Sequence, residues 1–517
     1  MTGDLPAAAL KAGDRRTALW LAALGFLFAA LLSNGLRSSN DGSSFALTKA
    51  LAETGSARIE PYAAYTGRVD FAMVEGRFYS ERPPWLSFAA VPGFWIGAGL
   101  ADAVGVPRLD LEYETAHGIE GARATFPIDD AGIRGALGIV HASYGALLAL
   151  AYLLCRRLGV GAAAALYAAL VLGLATLFQK YGASFFTQMP AATAVTGVAL
   201  VVLDAPRRVG RSLGLGLMLG FLPGLDYGAA IPAAVLVVVL YLAAGPKDRE
   251  WWRSGGALAL GALPGLAAFG LYNATHFGGP FSIPYGANAG FEWARSFGSM
   301  FSGEPKEALW GFFFDLSRQG LVASTPVLLL GVFGLGPLVR RAPVASAAGA
   351  LAVVVLTWLM AHHRAWWGGG TNDPRYLMPV LPLLVVPLAF AVDRWVAIRA
   401  PGAVRTGLWI ALVLVCAWSA VAQHFVARAF LLDPWWGHEL MLGPTHLLTT
   451  AGPDRFLRPL PLLVQVGVFG LLGSALLLPL RLPFARRPAL WCGLLALTAV
   501  GLVGCWLAPG AFPTPRG

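Results

Sequence analysis

Two short stretches gather the residue types that group-transfer chemistry needs. In "RSSNDGSS", residues 37 to 44, an acid, Asp41, follows a long apolar run among hydroxyl-bearing and small residues. A carboxylate at a lipid boundary is partly desolvated yet close to anything a lipid carries, which suits a general base taking a proton from a hydroxyl. The position suits a helix cap equally well, since Asn40 or Asp41 could start a helix over 43–53. Both readings stay open. Further on, "GRFYSERPPWLSF" (76–88) presents Tyr79, Glu81 and Arg82 just before two prolines that break regular structure. A guanidinium placed there is a natural phosphate clamp.

Other candidates are scattered along the chain. "HHRAWWGGGTNDPRY" (362–376) ends on Arg375 and Tyr376. Arg375 reads as a phosphate ligand, assisted by His363 or Arg364, with Trp366 and Trp367 stacking on a sugar; the competing reading is an interfacial aromatic belt with snorkelling arginines. Asp226 and Tyr227 interrupt the apolar "GFLPGLDYGAAIP" (220–232). A charge in mid-bilayer costs about 2.5–3.5 kcal/mol on insertion scales, so the pair belongs in a turn between two spans, lining a site or capping a helix. Lys180 in "QKYGASFFTQMP" (179–190) either reaches a lipid phosphate or anchors the interface. His276 and Tyr285 begin a loop placed to cover a site. Should a divalent metal take part, Glu81 and His276 are its candidate ligands, but no HxxxH or HExxH spacing supports one and no cofactor is implied. No Walker-type GxxxxGK[ST] loop is present either.

The elements that position these residues follow from composition. Of 517 residues, 57% are hydrophobic and only 13% charged, against roughly 25% charged in soluble domains. Apolar runs of about 20 residues recur, each long enough to cross the ~30 Å hydrocarbon layer as a helix. The expected fold is an all-α polytopic membrane protein of about thirteen spans forming one unit over 1–517, near 17–36, 134–154, 160–178, 187–203, 212–225, 228–244, 255–274, 322–339, 344–361, 376–392, 406–423, 459–480 and 489–507. The net charge of +10 sits in short clusters between the runs, which reads as topology signal rather than as a nucleic-acid patch. With the N-terminus cytoplasmic, every second loop is basic and the long loops, 37–133, 275–321, 362–375 and 424–458, share the outer face. Surface helices are expected over 43–53 and 84–105, the latter on the outer surface because a full span there would invert every later loop.

An acid after the first span, followed some forty residues on by a Tyr-Ser-acid-basic-Pro-Pro signature, resembles the GT-C superfamily of integral-membrane glycosyltransferases. More narrowly, the chain is similar to the family of protein O-mannosyltransferases and the lipid A aminoarabinose transferase. "NDPRYLMPVLPLLVVPLA" (372–389), "HFGGPFSIPYGANAGF" (276–291) and "SRQGLVASTPVLLL" (317–330) resemble segments of bacterial members. The resemblance implies a bacterial plasma-membrane enzyme that moves a sugar from a polyprenyl-phosphate donor to a lipid, glycan or protein acceptor on the extracytoplasmic face. It implies Asp41 as the base and Glu81 and Arg82 as neighbours of the donor phosphate or sugar; by the readings of the residues themselves, Arg375 and Lys180 join at the phosphate and Tyr79, Asp226, Tyr227, Tyr285 and Tyr376 border the substrate. Arg82 stands where the family's signature carries Lys, which keeps the charge and adds a bidentate fork. The alternatives are a membrane glycan polymerase or ligase, and a flippase or transporter, which would string polar groups along the spans.

Overall fold

Most apolar runs become helices, whose backbones satisfy their own hydrogen bonds as a hydrocarbon layer requires. The computed structural model describes residues 9–31, 35–36, 38–67, 69–104, 109–114, 123–128, 130–245, 248–315, 318–371, 373–397 and scattered positions between 412 and 423. In chain order come α1 (Ala12–Leu31), α2 (Ser39–Thr54), a hairpin of β1 (Phe71–Val74) and β2 (Arg77–Ser80), α3 (Trp85–Val104), and a hairpin of β3 (Leu109–Glu114) and β4 (Arg123–Ile128). The helical body follows with α4 (Asp130–Arg157), α5 (Ala162–Leu174), α6 (Phe178–Gly182), α7 (Gln188–Val202), α8 (Val209–Leu225), α9 (Tyr227–Ala244) and α10 (Arg249–Phe277). Then come α11 (Phe297–Met300), α12 (Pro305–Phe313), α13 (Leu321–Ser324), α14 (Val332–Arg341), α15 (Pro343–Ala361) and α16 (Leu381–Ala397).

Among the described residues, six segments are long and apolar enough to cross a membrane: Trp85–Ala103, Ala131–Arg157, Tyr227–Ala244, Arg249–Phe277, Pro343–Ala361 and Arg375–Ala397. The shorter apolar helices α5, α7 and α8 join them. The expected span at 322–339 is interrupted: α13 gives way at Pro326 to a 3-10 stretch, Pro326–Gly331, before α14 begins. The spans expected at 459–480 and 489–507, most of 406–423, and the loop 424–458 lie outside the described residues.

Helix α4 is the spine of the bundle. Gly25 of α1 packs on Gly145, while Asp14, near the other end of α1, accepts from Tyr152 (3.0 Å) and Arg156 (2.7 Å). The two helices are therefore antiparallel, and the chain leaves α1 and enters α4 at the same end of the bundle. A single crossing by α3 between them would arrive at the wrong end, so α3 does not act as a span despite its length. It packs instead over the first turns of α4, Gly93 and Gly97 against Gly135 and Ala131, and exposes Trp95, Ile96 and Leu100. Small residues also allow α8 and α10 to touch backbone to backbone: a Cβ on Gly220 would fall 2.2 Å from Ala262 O, the close approach that GxxxG spacing permits.

The charge alternation is visible in space. Asp204 pairs with Arg157 and Arg211, Asp393 accepts from Gly161 N at 3.1 Å, and Arg341 lies against Gly159. The basic turns thus share one end, and the long loops start from the other.

Helicity does not extend through the first loop. Glu75 and Gly76 both have positive φ, 51° and 75°, the backbone that a two-residue hairpin turn of the primed kind demands. The turn pairs β1 with β2 antiparallel, Phe71 opposite Ser80 and Val74 opposite Arg77. The loop after α10 adds to one edge, with Ala289 N donating to Phe71 O at 2.9 Å, and Ile59 N donates to Phe78 O at 2.9 Å on the other. This small sheet, absent from the all-α expectation, is what carries the polar residues of the first loop.

Candidate active site at the loop end of the bundle

Register explains the first pairing in the site. Because Phe71 faces Ser80, the next residues outward, Asp70 and Glu81, are also opposite one another, and Arg82 follows directly. Arg82 Nη2 lies 3.1 Å from Asp70 Oδ1 and pairs with Glu81 Oε1. Its Nη1 donates to the Tyr285 hydroxyl at 2.7 Å, a residue delivered by the loop that extends the hairpin edge. Ser39, in the first turn of α2, donates to Asp70 Oδ2. That turn is pressed into place: a Cβ on Gly42 would fall 1.8 Å from Tyr65 O, so only glycine lets α2 sit so close to the 3-10 helix Glu60–Thr66.

A second guanidinium arrives from the far end of the chain. With the Asn40 amide oriented so that both its ends are satisfied, its oxygen accepts from Arg82 Nη1 (2.9 Å), Arg82 Nη2 (3.0 Å) and Arg375 Nη2 (3.2 Å). Two like-charged groups therefore converge on one neutral acceptor. Arg375 is 4% exposed, and among the described residues its Nε and Nη1 are buried without a hydrogen-bond partner, as is Glu81 Oε2. Buried donors left unpaired are costly, about 1–3 kcal/mol each, and these point to an anion-accepting site.

The electrostatics agree. Burial pushes the Glu81 carboxyl well above the usual carboxylate range; the Arg82 charge opposes this and the Asp70 charge adds to it. A carboxyl that takes up a proton this readily shifts the balance of charge around Arg82 and Arg375 toward positive, in a poorly solvated place where charge counts for more than in water. His363 lies beside it, its ring 5.0 Å from that of Tyr376 and edge-on to Trp293 and Phe301. Burial, then the positive charge of Arg375, depresses its pKa from 6.5 to about 4, and its Nδ1 accepts from Ala365 N at 3.1 Å. The folded state thus refuses a proton that the unfolded chain takes below pH 6.5. The stability His363 contributes is complete above pH 6.5 and is lost as pH falls toward 4. Thermal unfolding of wild type should drop over that window more steeply than that of His363→Phe; equal slopes would contradict this.

Several expected site residues meet here: Glu81, Arg82, Tyr285, Arg375 and, through its contact with Arg375, Tyr376. Tyr227 meets Tyr285 edge-on, ring centroids 5.9 Å apart, its hydroxyl buried with no hydrogen-bond partner among the described residues. Asp226 caps α9 by accepting from Ala229 N at 3.0 Å and receives Thr187 Oγ1 at 3.2 Å; burial raises its carboxyl above the usual range.

Three residues go elsewhere. Asp41 is fully buried and takes Ser38 N at 2.6 Å and Ser38 Oγ at 2.9 Å in a capping box; the N-cap is Ser38, ahead of the Asn40 or Asp41 start expected for this helix. Lys180 is paired with Asp373 at 2.6 Å rather than directed at the guanidinium cluster. Tyr79 packs on His276, 5.2 Å between ring centroids. His276 accordingly sits among aromatic rings, and no group of three or more His, Cys, Asp or Glu able to hold a metal occurs among the described residues. Asp70 and Asp373 carry no signal of their own in the sequence, and Asn40 stood out there only as a candidate helix cap.

These features define a multi-pass membrane protein with the GT-C fold, its polar cluster gathered at one end of the bundle. Solved structures it is similar to include ArnT from Cupriavidus metallidurans, bound to undecaprenyl phosphate and in the apo state, each 16% identical with a TM-score of 0.52, covering 96% of this chain and 78% of that one. Arabinofuranosyltransferase AftD from Mycobacteria matches at 17% identity and a TM-score of 0.45, over 83% of this chain and 28% of that one. No protein-family model matches the sequence, and no curated protein does.

Proposed function

We propose that the protein is a glycosyltransferase that moves a sugar from a polyprenyl-phosphate donor to an acceptor hydroxyl at the extracytoplasmic face of a bacterial plasma membrane, its N-terminus cytoplasmic. The observation that carries this reading is the convergence of Arg82 and Arg375 on Asn40, with buried N–H groups left over. The fold shared with ArnT, one of whose structures holds undecaprenyl phosphate, supports it.

The roles follow from charge and position. The lipid phosphate is the leaving group: as the acceptor oxygen bonds to the sugar's anomeric carbon, the bond from that carbon to the phosphate oxygen breaks, and negative charge collects where the two guanidiniums stand. Asp70, rather than the capping Asp41, takes the acceptor's proton; Ser39 and Arg82 orient its carboxylate. Tyr227, Tyr285, Tyr376 and Asp226 border the place where the sugar would lie. The acceptor is a lipid, glycan or protein hydroxyl.

Titration of the purified protein with undecaprenyl phosphate and with uncharged undecaprenol tests the reading. The phosphate should bind at least tenfold more tightly, about 1.4 kcal/mol, and excess salt should narrow the gap less than for a surface site. Equal affinity for the two lipids would end the proposal.

A further inference from the structure

Helix α6 carries Lys180 and Tyr181, and both side chains close on Asp373. Lys180 Nζ donates to Asp373 Oδ2 at 2.6 Å and to Thr371 O at 3.2 Å; the Tyr181 hydroxyl reaches the same carboxylate at 2.9 Å. The other carboxylate oxygen, Oδ1, accepts from Thr371 Oγ1 at 3.2 Å and from the backbone N of Arg375 at 3.1 Å. The Lys180 and Asp373 side chains are both 0% exposed. The turn they grip is tight: Gly368 has φ +78°, and a Cβ on it would meet Thr371 Oγ1 at 2.6 Å and Arg375 Nε at 3.2 Å.

A buried ion pair gives little net stability over apolar packing, and fixing one arrangement is a use to which it is suited. Here the fixed object lies two residues further on. Arg375 leaves this turn with its guanidinium 5.2 Å from the Phe186 ring centroid and its Nη2 on Asn40. We propose that the Lys180–Tyr181–Asp373 clamp is a positioning device that aims the Arg375 guanidinium at the anion site. The three residues touch no substrate; they act through Arg375. This rests on the reading of Arg82 and Arg375 as a lipid-phosphate site.

The test is undecaprenyl phosphate affinity and transfer rate of the purified full chain, with thermal unfolding alongside. A misplacement of about 1 Å costs on the order of 100-fold in rate, so Lys180→Met and Asp373→Asn should each lower transfer 10- to 100-fold and weaken lipid binding. Lys180→Arg, which keeps the charge, should recover part of both. Because a lone buried charge can unfold the chain, the double variant Lys180→Met/Asp373→Asn removes both; it should fold and show the same loss. In an Arg375→Ala background, adding Lys180→Met should change affinity no further, since the route through Arg375 is already cut.

The outcomes separate the two claims. If Arg375→Ala alone leaves undecaprenyl phosphate affinity unchanged, the phosphate reading is wrong. If Arg375→Ala weakens binding but the folded double variant binds and turns over as wild type, or Lys180→Met adds its full effect in the Arg375→Ala background, the clamp has no positioning role.

Discussion

Asp70→Asn should leave the fold intact and bring sugar transfer close to a halt. Asparagine is nearly isosteric, so its one side-chain oxygen can still accept from Arg82 while the Ser39 hydroxyl turns to accept from its amide N–H, keeping the two partners that hold Asp70 in place. What disappears is the capacity to take a proton from the acceptor hydroxyl. A positioned general base contributes about 10²- to 10⁴-fold, or roughly 3–5 kcal/mol of barrier at 1.36 kcal/mol per tenfold. The loss should appear in kcat, with undecaprenyl phosphate affinity nearly unchanged. Asp41→Asn provides the contrast: that carboxylate caps α2, so its loss should lower the unfolding temperature before it lowers turnover. If Asp70→Asn turns over within a few-fold of wild type while Asp41→Asn is dead at full stability, the base has been assigned to the wrong acid.

Arg82→Ala should produce the largest combined effect on binding and stability. Its guanidinium holds Asp70, Glu81, Tyr285 and Asn40 at once, and its side chain is 12% exposed. Removing one partner of a buried pair costs about 3–5 kcal/mol because the other charge is left uncompensated; residual solvent contact places this pair at the lower end. The phosphate loses half of its cationic clamp as well, so affinity for undecaprenyl phosphate should fall at least 100-fold, about 2.7 kcal/mol. Arg82→Lys keeps the charge but cannot reproduce the fork, and should recover stability better than affinity. Unfolding temperature and lipid titration on the same preparations check both; full affinity in a folded Arg82→Ala protein would remove Arg82 from the phosphate site.

The bundle was legible because its signals are long. A 20-residue apolar window and an alternation of basic turns average over many residues, and the clustering of Arg157, Arg211 and Arg341 at one end is their spatial counterpart. The site was legible only in part. Glu81, Arg82 and Arg375 stand out as charges beside prolines at the edges of apolar runs. Asp70 does not, since its role arises from register: it faces Glu81 only because "FAMV", "EG" and "RFYS" form a hairpin with a two-residue turn. Glutamate seldom adopts positive φ, so Glu-Gly is a weaker hairpin signal than Asn-Gly or Asp-Gly. Lys180 misled for a different reason. Its partner lies 193 residues away, and no local pattern distinguishes a lysine that meets lipid from one that meets a buried aspartate.

The first turn of α2 divides neighbouring side chains by angle. Successive helical residues are rotated by about 100°, so Ser39 and Asn40 sweep toward Asp70 and the arginines while Asp41 turns back to Ser38. Inserting or deleting one residue between Ser38 and Gly42 would leave composition almost untouched yet swing the amide out of the cationic cleft. Spacing in this stretch is therefore expected to be less forgiving than residue identity.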